Sequence, residues 1–440
     1  MSQNAGKTPI RVGLLGLGTI GSGVVATLEG QSGRLEKRLG RRIEIRWALV
    51  RDLDKPRAVE FDSTMLTTSP ADILEADDID VVVELMGGIE PAREYMELAL
   101  RNGKHLVTAN KDVMANHGVH LLRLAGENDL DLYFEASVGG GIPLIGPFRQ
   151  DLTANEITEI HAIINGTTNY ILTRMDQDGA DYATALQEAQ DLGYAEPDPA
   201  NDVEGHDVAY KLAILASLAF GTRVHPDDIY REGIGGLDAI DFVHARALGY
   251  AIKLLAIGKS HPDGIEVRVH PTLVTRGFLL SQVSGVENAV RIRGDLLGHA
   301  VFAGRGAGPK PTASAIVADL IDLAHNLNSG IHSRVPIRFD SDLAVKPMTE
   351  IRSRYYLRFW VADQPGVLAQ IGQIFADTGI SIAGLDQKEV DASLGTAELV
   401  ILTHEAGEAN MRAAREQMEA NAVVKRFDAL LRVENLQEDE

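Results

Sequence analysis

The sequence predicts an α/β protein made of a doubly wound parallel sheet, an α+β domain and a C-terminal βαββαβ domain. Three observations predict this architecture. The chain has 440 residues, which is too long for one hydrophobic core. Strand-like and helical segments alternate over about the first 135 residues, an order typical of a parallel sheet with helices on both faces. The last ~85 residues follow the order strand, helix, strand, strand, helix, strand.

The first predicted domain, residues 1–136, begins with a short apolar run that we interpret as a buried strand. Its strand-like runs lie at 9–15, 43–50, 80–85, 104–108 and 131–136. Helical stretches lie between most of them, including 22–29 and 91–102, and Pro91 stands at the start of the second. The alternation predicts a Rossmann-type sheet.

The pattern changes beyond residue 137 into that of an α+β domain, 137–304, which we expect to bind the substrate and to dimerise. Its strands are predicted at 156–164, 265–274 and 286–293, and its helices at about 167–177, 181–191 and 202–220. A further helix at 311–327 follows a glycine-rich turn, and we expect the segment 311–330 to return to the first domain.

The segment 331–353 is polar and lacks periodicity, which predicts a linker. The C-terminal domain, 354–435, has predicted strands at 355–361, 380–389, 395–403 and 423–432 and helices at 366–378 and 407–419. This order is ferredoxin-like, and such a domain can fold as a separate module.

Composition excludes several function classes. The chain carries 42 Lys+Arg and 63 Asp+Glu residues and a formal net charge of −21, so we expect no nucleic-acid partner. No apolar run reaches the ~18 residues of a membrane span, and Met1 to Lys7 form no apolar signal region, so we expect a cytoplasmic protein. The sequence has no cysteine, which excludes disulfides, zinc–thiolate sites and thiol nucleophiles.

A glycine-rich loop follows the first predicted strand and opens a helix. Its GxGxxG pattern allows a tight turn and a close approach of the backbone to a pyrophosphate. The alternative is a tight glycine turn without a ligand, but the position within a βαβ series favours a dinucleotide site. The residues predicted to bind the cofactor are Gly16, Leu17, Gly18, Thr19, Ile20 and Gly21.

Arg51 is the first polar residue after the second predicted strand, and Asp52 and Asp54 follow it. An acid at this point binds the ribose hydroxyls of NAD, whereas an arginine accommodates the 2′-phosphate of NADP. Because Arg51 comes first, we predict that NADP is the cofactor and that NAD is tolerated. The alternative is that Arg51 is a solvated loop charge.

Two lysines stand at positions typical of a site. Lys111 follows the strand predicted at 104–108, and ligands bind at the carboxyl ends of strands in such sheets. Asp207 and Lys211 are four residues apart before the apolar stretch 212–220, which places both on one face of a buried helix. We therefore expect Lys211 to point into the protein, with Asp207 as its supporting acid.

Each of these lysines also has a structural interpretation. Lys111 is then a surface lysine, and Asp207 and Lys211 form an ion pair that only holds helices together. The adjoining loop 193–199 favours a binding site, because it carries Glu196 and Asp198 beside two prolines.

With these motifs in place, the sequence resembles homoserine dehydrogenases over nearly its full length. The segment 189–211 matches the signature of that family. Three further motifs occur in the family's order: the Thr-Ala-Asn-Lys run ending at Lys111, the run from Glu135 to Pro143 and the run from Asn165 to Asn169. The resemblance implies NAD(P)-dependent interconversion of L-homoserine and L-aspartate 4-semialdehyde, in threonine, methionine and isoleucine biosynthesis. We find no aspartate-kinase region before the first domain and expect a monofunctional enzyme.

The resemblance also implies the roles of individual residues. Glu196 and Asp207 bind the substrate, and Lys211 is the acid/base residue. Lys111 is a second catalytic residue at the junction of cofactor and substrate. Gly193 and Gly306 contact the cofactor. The chemistry agrees, because oxidation of an alcohol needs a base for the hydroxyl proton while a hydride leaves for the nicotinamide.

A cation site is implied by the resemblance alone. Glu135, with the backbone carbonyls of Val138, Gly140 and Ile142, matches a site for a monovalent cation such as Na⁺. Without the resemblance, this stretch is interpreted as a flexible turn after a strand.

The C-terminal segment 355–432 resembles an ACT domain, a small amino-acid sensor. The helix that begins near Gly366 presents amides that can receive a carboxylate, and Asp363 can hold an amino group. We expect L-threonine to bind here and to inhibit, and we expect a homodimer or homotetramer, because such modules pair between chains. The alternative is a module that only dimerises.

Three other functions are alternatives to homoserine dehydrogenase. Aspartate-semialdehyde dehydrogenase is excluded, because its acyl-thioester chemistry needs a cysteine nucleophile. A non-catalytic amino-acid sensor is disfavoured, because Lys111, Lys211, Asp207 and Glu196 are all present. A dehydrogenase of another small amino alcohol stays open at this stage.

Overall fold

The computed structural model describes residues 8–332, 334, 336–391 and 393–436, without the side chains of 388–391. The described chain divides into two compact units. Unit 1 comprises Met1–Ile157, Tyr210–Pro226 and Phe302–Asp342. Unit 2 comprises Thr158–Ala209, Asp227–Val301 and Leu343–Glu440. The segment on which the prediction about a signal region rests, 1–7, lies outside the described residues.

The strands are numbered in chain order. They are β1 (Ile10–Leu15), β2 (Ile43–Leu49), β3 (Leu66–Thr67), β4 (Val81–Glu84), β5 (His105–Thr108), β6 (Leu132–Tyr133), β7 (Ile157–Ile163), β8 (Tyr230–Arg231), β9 (Tyr250–His261), β10 (Gly264–Thr275), β11 (Glu287–Gly294), β12 (Gly298–Arg305), β13 (Arg352–Ala362), β14 (Ile382–Asp391), β15 (Thr396–Thr403), β16 (Ala406–Gly407) and β17 (Val424–Glu434).

The α-helices are numbered in the same way. They are α1 (Thr19–Gly30), α2 (Ser32–Leu39), α3 (Ala71–Leu74), α4 (Ala92–Arg101), α5 (Lys111–Glu127), α6 (Ile145–Arg149), α7 (Gly166–Asp178), α8 (Tyr182–Asp191), α9 (Ala200–Val203), α10 (His206–Phe220), α11 (Ala239–Ala247), α12 (Leu279–Gln282), α13 (Pro309–Ser329), α14 (Val367–Asp377) and α15 (Glu408–Ala420). No helix in the described part of the chain is long and apolar enough to cross a membrane.

Unit 1 contains a parallel six-stranded sheet in the order β3-β2-β1-β4-β5-β6. The Rossmann-type sheet predicted from the alternation is therefore confirmed. The strand predicted at 131–136 is shorter than expected, because β6 ends at Tyr133 and a 3-10 turn covers Glu135–Ser137. The helix predicted at 22–29 starts earlier, at Thr19, directly after the glycine loop.

Helix α13 belongs to the core of unit 1. Its buried residues, among them Ile316 and Leu320, lie in one hydrophobic cluster with Val24 and Val25 of α1. The two helices approach closely at Gly23, where a Cβ atom would lie 3.0 Å from the carbonyl oxygen of Pro309. Glycine at this position lets α13 pack on α1 with little space between the backbones.

One helix is predicted at 202–220. The prediction is wrong at its start, because the chain forms two helices there. Helix α9 ends at Val203 and α10 begins at His206. Gly205 between them has φ +80°, a conformation that L side chains rarely adopt. The break leaves Asp207 in the first turn of α10.

Unit 2 contains a mixed sheet in the order β12-β11-β7-β9-β10-β17-β13-β15-β14. The C-terminal part has the predicted order of strands and helices, which confirms the ferredoxin-like pattern. It does not form a sheet of its own, because β17 pairs in parallel with β10, for example Thr272 opposite Arg432. In the structure, the C-terminal domain extends the sheet of the α+β domain.

The predicted linker, 331–353, is also partly ordered by this sheet. The N–H of Ile265 donates to the carbonyl of Ala344 at 2.9 Å, and the N–H of Lys346 donates to the carbonyl of Ile265 at 2.8 Å. Ile265 and Val345 thus form an isolated parallel bridge between this segment and the start of β10.

Candidate active site

The glycine loop lies at the carboxyl end of β1 and opens α1. Gly16 has φ +107°, and a Cβ there would lie 2.9 Å from the carbonyl oxygen of Leu85. A Cβ on Gly21 would lie 2.5 Å from the carbonyl oxygen of Gly16. At Gly18, by contrast, a Cβ would meet no atom of the described residues within 4 Å, apart from its chain neighbours. Gly16 and Gly21 are thus required by the turn, whereas Gly18 leaves open space above the helix N-terminus, as a bound pyrophosphate needs.

Arg51 is exposed at the carboxyl end of β2. The loop that follows is held by Arg57, whose guanidinium donates to the carbonyls of Asp52 (2.6 Å), Lys55 (2.8 Å) and Leu53 (3.1 Å). The arginine expected to bind a phosphate therefore lies at the base of a loop with a fixed shape.

A buried carboxylate organises the chain before Lys111. Glu84, the last residue of β4, accepts hydrogen bonds from the hydroxyl of Thr108 (2.6 Å) and the N–H of Met86 (2.7 Å). It also contacts Asn110, whose Nδ2 lies 3.4 Å away and whose Oδ1 caps α5 by accepting the N–H of Val113. Burial raises the pKa of Glu84 above its usual value. Lys111, half-buried, is the first residue of α5 and stands at the same sheet edge as the glycine loop.

The Glu135 side chain contacts backbone amides of the loop predicted to hold a cation and of the helix after it. Its carboxylate accepts the N–H groups of Leu144 (2.5 Å), Ile145 (2.9 Å) and Gly146 (2.6 Å), and so caps α6. Its own N–H donates to Asp319 at 2.9 Å. Because the carboxylate is committed to these amides, a cation beside this loop would be held by carbonyl oxygens.

The loop after Glu135 offers such carbonyls. Gly139 and Gly140 have φ +74° and +56°, and a Cβ on Gly140 would lie 2.4 Å from the carbonyl oxygen of Gly306. Among the described residues, no N–H or side-chain donor reaches the carbonyl oxygens of Val138, Gly140 or Ile142. Carbonyl oxygens of buried residues that receive no donor from the described part of the chain fit a hard cation.

The segment 189–211 contributes two acids of different exposure to unit 2. Asp207 is 5% exposed, and its Oδ2 accepts Asn165 Nδ2 at 2.9 Å. Glu196 is exposed in the loop after α8. Two hydrogen bonds anchor that loop. Thr167 donates to the carbonyl of Tyr194 at 2.7 Å, and Gln190 donates to the carbonyl of Glu196 at 3.1 Å. Gly193, in the same loop, is exposed with φ +73°.

Lys211 lies one turn after Asp207 in α10, as predicted from the four-residue spacing. Leu212 and the four residues after it are buried, but Lys211 itself is half-buried. The expectation that it is withdrawn from water is therefore only partly met. Lys211 stays within reach of solvent while the helix around it is packed.

The predicted effector residues lie at the start of α14. Gly366 caps this helix with φ +92° and no side-chain hydrogen bond, and Asp363 is exposed three residues earlier. The N–H of Asp363 donates to the carbonyl of Gly395 at 2.8 Å, which fixes the turn.

A cluster that sequence spacing did not reveal lies at the amino-terminal ends of β5 and β6. Within the described residues, His105, Asp131 and His332 bring one ligand atom each to within 4.8 Å of one another. However, His105 Nδ1 accepts the N–H of Asp131 at 3.0 Å, so a neutral ring carries its proton on Nε2. Either nitrogen would have to lose its present bond or proton to bind a metal, and we assign no metal here.

Three family models match the chain. The model for the NAD-binding domain of homoserine dehydrogenase matches residues 16–135, the homoserine dehydrogenase model matches 143–321, and the ACT domain model matches 355–423. Among curated relatives, the homoserine dehydrogenase of Neisseria gonorrhoeae is 44% identical over 97% of this chain and 99% of its own. That of Synechocystis is 43% identical over 96% of this chain and 99% of its own.

The chain is also similar to solved structures of homoserine dehydrogenases. A homoserine dehydrogenase from Thiobacillus denitrificans is 44% identical, with a TM-score of 0.92 over 98% of this chain and 99% of that chain. A hyperthermophilic archaeal homoserine dehydrogenase in complex with NADPH is 27% identical, with a TM-score of 0.62 over 73% of this chain and 98% of that chain. The chain therefore belongs to the homoserine dehydrogenase family, and it is an oxidoreductase with a nicotinamide cofactor and a C-terminal ACT domain.

Proposed function

We propose that this member of the family exchanges the hydroxyl proton of L-homoserine through Lys211, binds the substrate's ammonium group through Glu196 and Asp207, and prefers NADP to NAD. The observation that carries the proposal is the buried carboxylate of Asp207 one helical turn before Lys211. An acid there supports a lysine that alternates between ammonium and amine.

In the proposed oxidation, the O–H bond of homoserine breaks, and its proton goes to the neutral amine of Lys211. The C–H bond on the same carbon breaks with its electron pair, which the nicotinamide accepts as a hydride when the cofactor is bound. In reverse, the ammonium of Lys211 returns the proton to the developing alkoxide. Lys111, at the edge of the sheet where the glycine loop lies, orients the substrate and cofactor relative to each other.

The proposed preference for NADP rests on Arg51. A guanidinium recognises a phosphate through paired hydrogen bonds. Arg57 supports it by holding the loop that follows Arg51 through three carbonyls. The archaeal relative solved with NADPH supports the same preference. Gly193 and Gly306 are proposed as further cofactor contacts.

A monovalent cation such as Na⁺ is proposed for the loop 138–142. The carbonyl oxygens of Val138, Gly140 and Ile142 would hold it, and Glu135 would contribute its carbonyl oxygen while its carboxylate caps α6. Such an ion would keep this loop in one shape beside Gly306.

The proposed effector of the ACT domain is L-threonine. The open N-terminus of α14 suits its carboxylate, and Asp363 suits its ammonium group. We also propose a homodimer or homotetramer, because ACT domains pair between chains.

Steady-state rates of the full-length chain test this proposal. Rates are measured with L-homoserine and other small amino alcohols, with NADP and with NAD. We expect turnover with L-homoserine and a lower KM for NADP. Arg51→Ala should raise the KM for NADP with little change for NAD, while Arg123→Ala, an exposed change in α5, should leave both unchanged. Equal KM values for the two cofactors in the unaltered chain would contradict the preference.

A further inference from the structure

Asn165 joins two carboxylates of unit 2 through one amide. Its Nδ2 donates to Asp202 Oδ1 at 2.7 Å and to Asp207 Oδ2 at 2.9 Å. An asparagine amide has two N–H donors, so each acid receives one of them. Asn165 is 5% exposed, and Asp207 is equally buried. Bonds of this kind to a charged acceptor are strong when water is excluded.

The orientation of the Asn165 amide is fixed from its other side. Its Oδ1 accepts the N–H of Thr168 at 2.8 Å and the hydroxyl of Thr168 at 2.9 Å, which makes Asn165 the cap of α7. A flipped amide would turn its oxygen toward two carboxylates and its nitrogen toward an N–H group. The bonds on both sides therefore select one orientation.

The start of α7 is itself held in place. Asn169 donates to the carbonyl of Glu287 at 3.1 Å, and Lys253 donates to the carbonyl of Val283 at 2.6 Å and lies 3.4 Å from Asn169 Oδ1. Burial lowers the pKa of Lys253 to about 8. A Cβ on Gly166 would lie 3.0 Å from the carbonyl of Val286. The loop 283–287 thus packs against the first turns of α7 and leaves Asn165 little freedom to move.

We propose that Asn165 is a positioning residue that holds Asp202 and Asp207 side by side, so that their negative charges face the ammonium group of the amino-acid substrate together. Without a donor between them, two like-charged groups this close would repel and separate. A neutral donor keeps them together without cancelling their charge. The inference rests on the role proposed above for Asp207.

The role predicts an effect on substrate affinity rather than on cofactor affinity or folding. In Asn165→Asp, an acid of the same size still caps α7 by accepting the N–H of Thr168. It places a third carboxylate against Asp202 and Asp207, where the donor was. We expect the KM for L-homoserine to rise by roughly tenfold to a hundredfold, with a smaller change in kcat and an unchanged Kd for NADPH.

A pH profile separates positioning from a structural role. The KM of Asn165→Asp should fall toward that of the unaltered chain as pH is lowered, because protonation of one acid restores a donor. Asn165→Ser keeps a cap and one short donor. Its KM should therefore lie between those of the unaltered chain and Asn165→Asp. Asp181→Asn changes the cap of α8 in the same unit and should leave the KM unchanged.

The outcomes separate this inference from the proposed function. An Asn165→Asp chain with an unaltered KM overturns the positioning role while the proposed function stands. An equal loss of kcat, NADPH affinity and melting temperature in both Asn165 variants also overturns it, because it would show a purely structural role. If the unaltered chain itself does not turn over L-homoserine, the proposed function fails first.

Discussion

Arg358 on β13 of the ACT domain donates to both carboxylate oxygens of Asp241 in the first turn of α11, at 2.7 and 3.3 Å. Arg358 also pairs with Asp238 at 2.7 Å, and it is 2% exposed. Together with the pairing of β17 and β10, these ion pairs make the ACT domain part of the fold of unit 2.

Removal of the ACT domain should therefore destabilise the rest of unit 2. A chain that ends at residue 350 leaves Thr272, Leu273 and Val274 of β10 without their partners in β17, and it leaves Asp241 without its buried guanidinium partner. We expect an insoluble product or a clearly lower melting temperature by calorimetry. A soluble truncated chain with the melting temperature of the full chain would contradict this account. Threonine inhibition is better tested with Asp363→Ala in the full chain.

Glu434, at the end of β17, should contribute pH-dependent stability. Although burial favours its neutral form, Lys259, His161 and Arg268 together hold the pKa of Glu434 well below its usual value. An acid with a lowered pKa stabilises the fold above its unfolded pKa of about 4.5, and this stabilisation is lost as pH falls further. Glu434→Gln should thus cost about 3 to 5 kcal/mol at pH 7.

Urea unfolding of both chains at several pH values checks the prediction. The difference between the unaltered chain and Glu434→Gln should shrink below about pH 4.5. The exposed change Glu419→Gln in α15 serves as the control, because Glu419 forms a surface ion pair with Arg415. A difference that is the same at every pH would show that charge is not the cause.

Asp319 should contribute a pH dependence of stability opposite in sign to that of Glu434. It is fully buried, and burial and the nearby Glu135 raise its pKa well above the usual value. The folded chain therefore retains this proton to higher pH than the unfolded chain, and stability falls as pH rises above about 4. Asp319→Asn keeps an acceptor for the N–H of Glu135. It should remove the loss of stability at high pH.

We expect the melting temperature of Asp319→Asn to exceed that of the unaltered chain at pH 8 and to exceed it less, or not at all, at pH 5. Thermal unfolding followed by circular dichroism measures both values. A variant that is less stable at pH 8 would indicate that the charged form of Asp319 holds an ion or a cation partner in this loop.

Two substitutions in the glycine loop should separate an effect on cofactor binding from an effect on stability. Gly18→Ala adds a Cβ that has no described atom beyond its chain neighbours within 4 Å, so the melting temperature should stay unchanged while NADPH binds more weakly. Gly21→Ala places a Cβ 2.5 Å from the carbonyl of Gly16 and should cost about 1 to 3 kcal/mol of stability. Fluorescence titration with NADPH and calorimetry measure the two effects. Equal losses of stability in both variants would contradict the open space at Gly18.

The sequence was sufficient for the features that depend on local periodicity and chain order. The glycine loop, the strand before Lys111 and the spacing of Asp207 and Lys211 are local patterns, and the structure contains them. Strand β9 was not predicted, because its apolar run, interrupted at Lys253, does not alternate and does not distinguish a buried strand from a buried helix.

Other features depend on partners far along the chain. Asn165 was recognised only as part of a motif, because its acceptors lie 37 and 42 residues away. The use of the Glu135 carboxylate as a helix cap depends on α6, a five-residue helix too short to predict from periodicity. The pairing of β17 with β10 joins residues about 160 positions apart, and no local signal specifies it.

The kcat of Lys211→Ala tests the central claim most directly. With Lys37→Ala in α2 as the matched surface control, the rate of homoserine oxidation is measured at saturating NADP, and NADPH binding is followed by fluorescence. Loss of the acid/base group should lower kcat by roughly 10²- to 10⁴-fold while the Kd for NADPH stays within about twofold. A Lys211→Ala chain that turns over at the unaltered rate would contradict the assignment of the proton to Lys211.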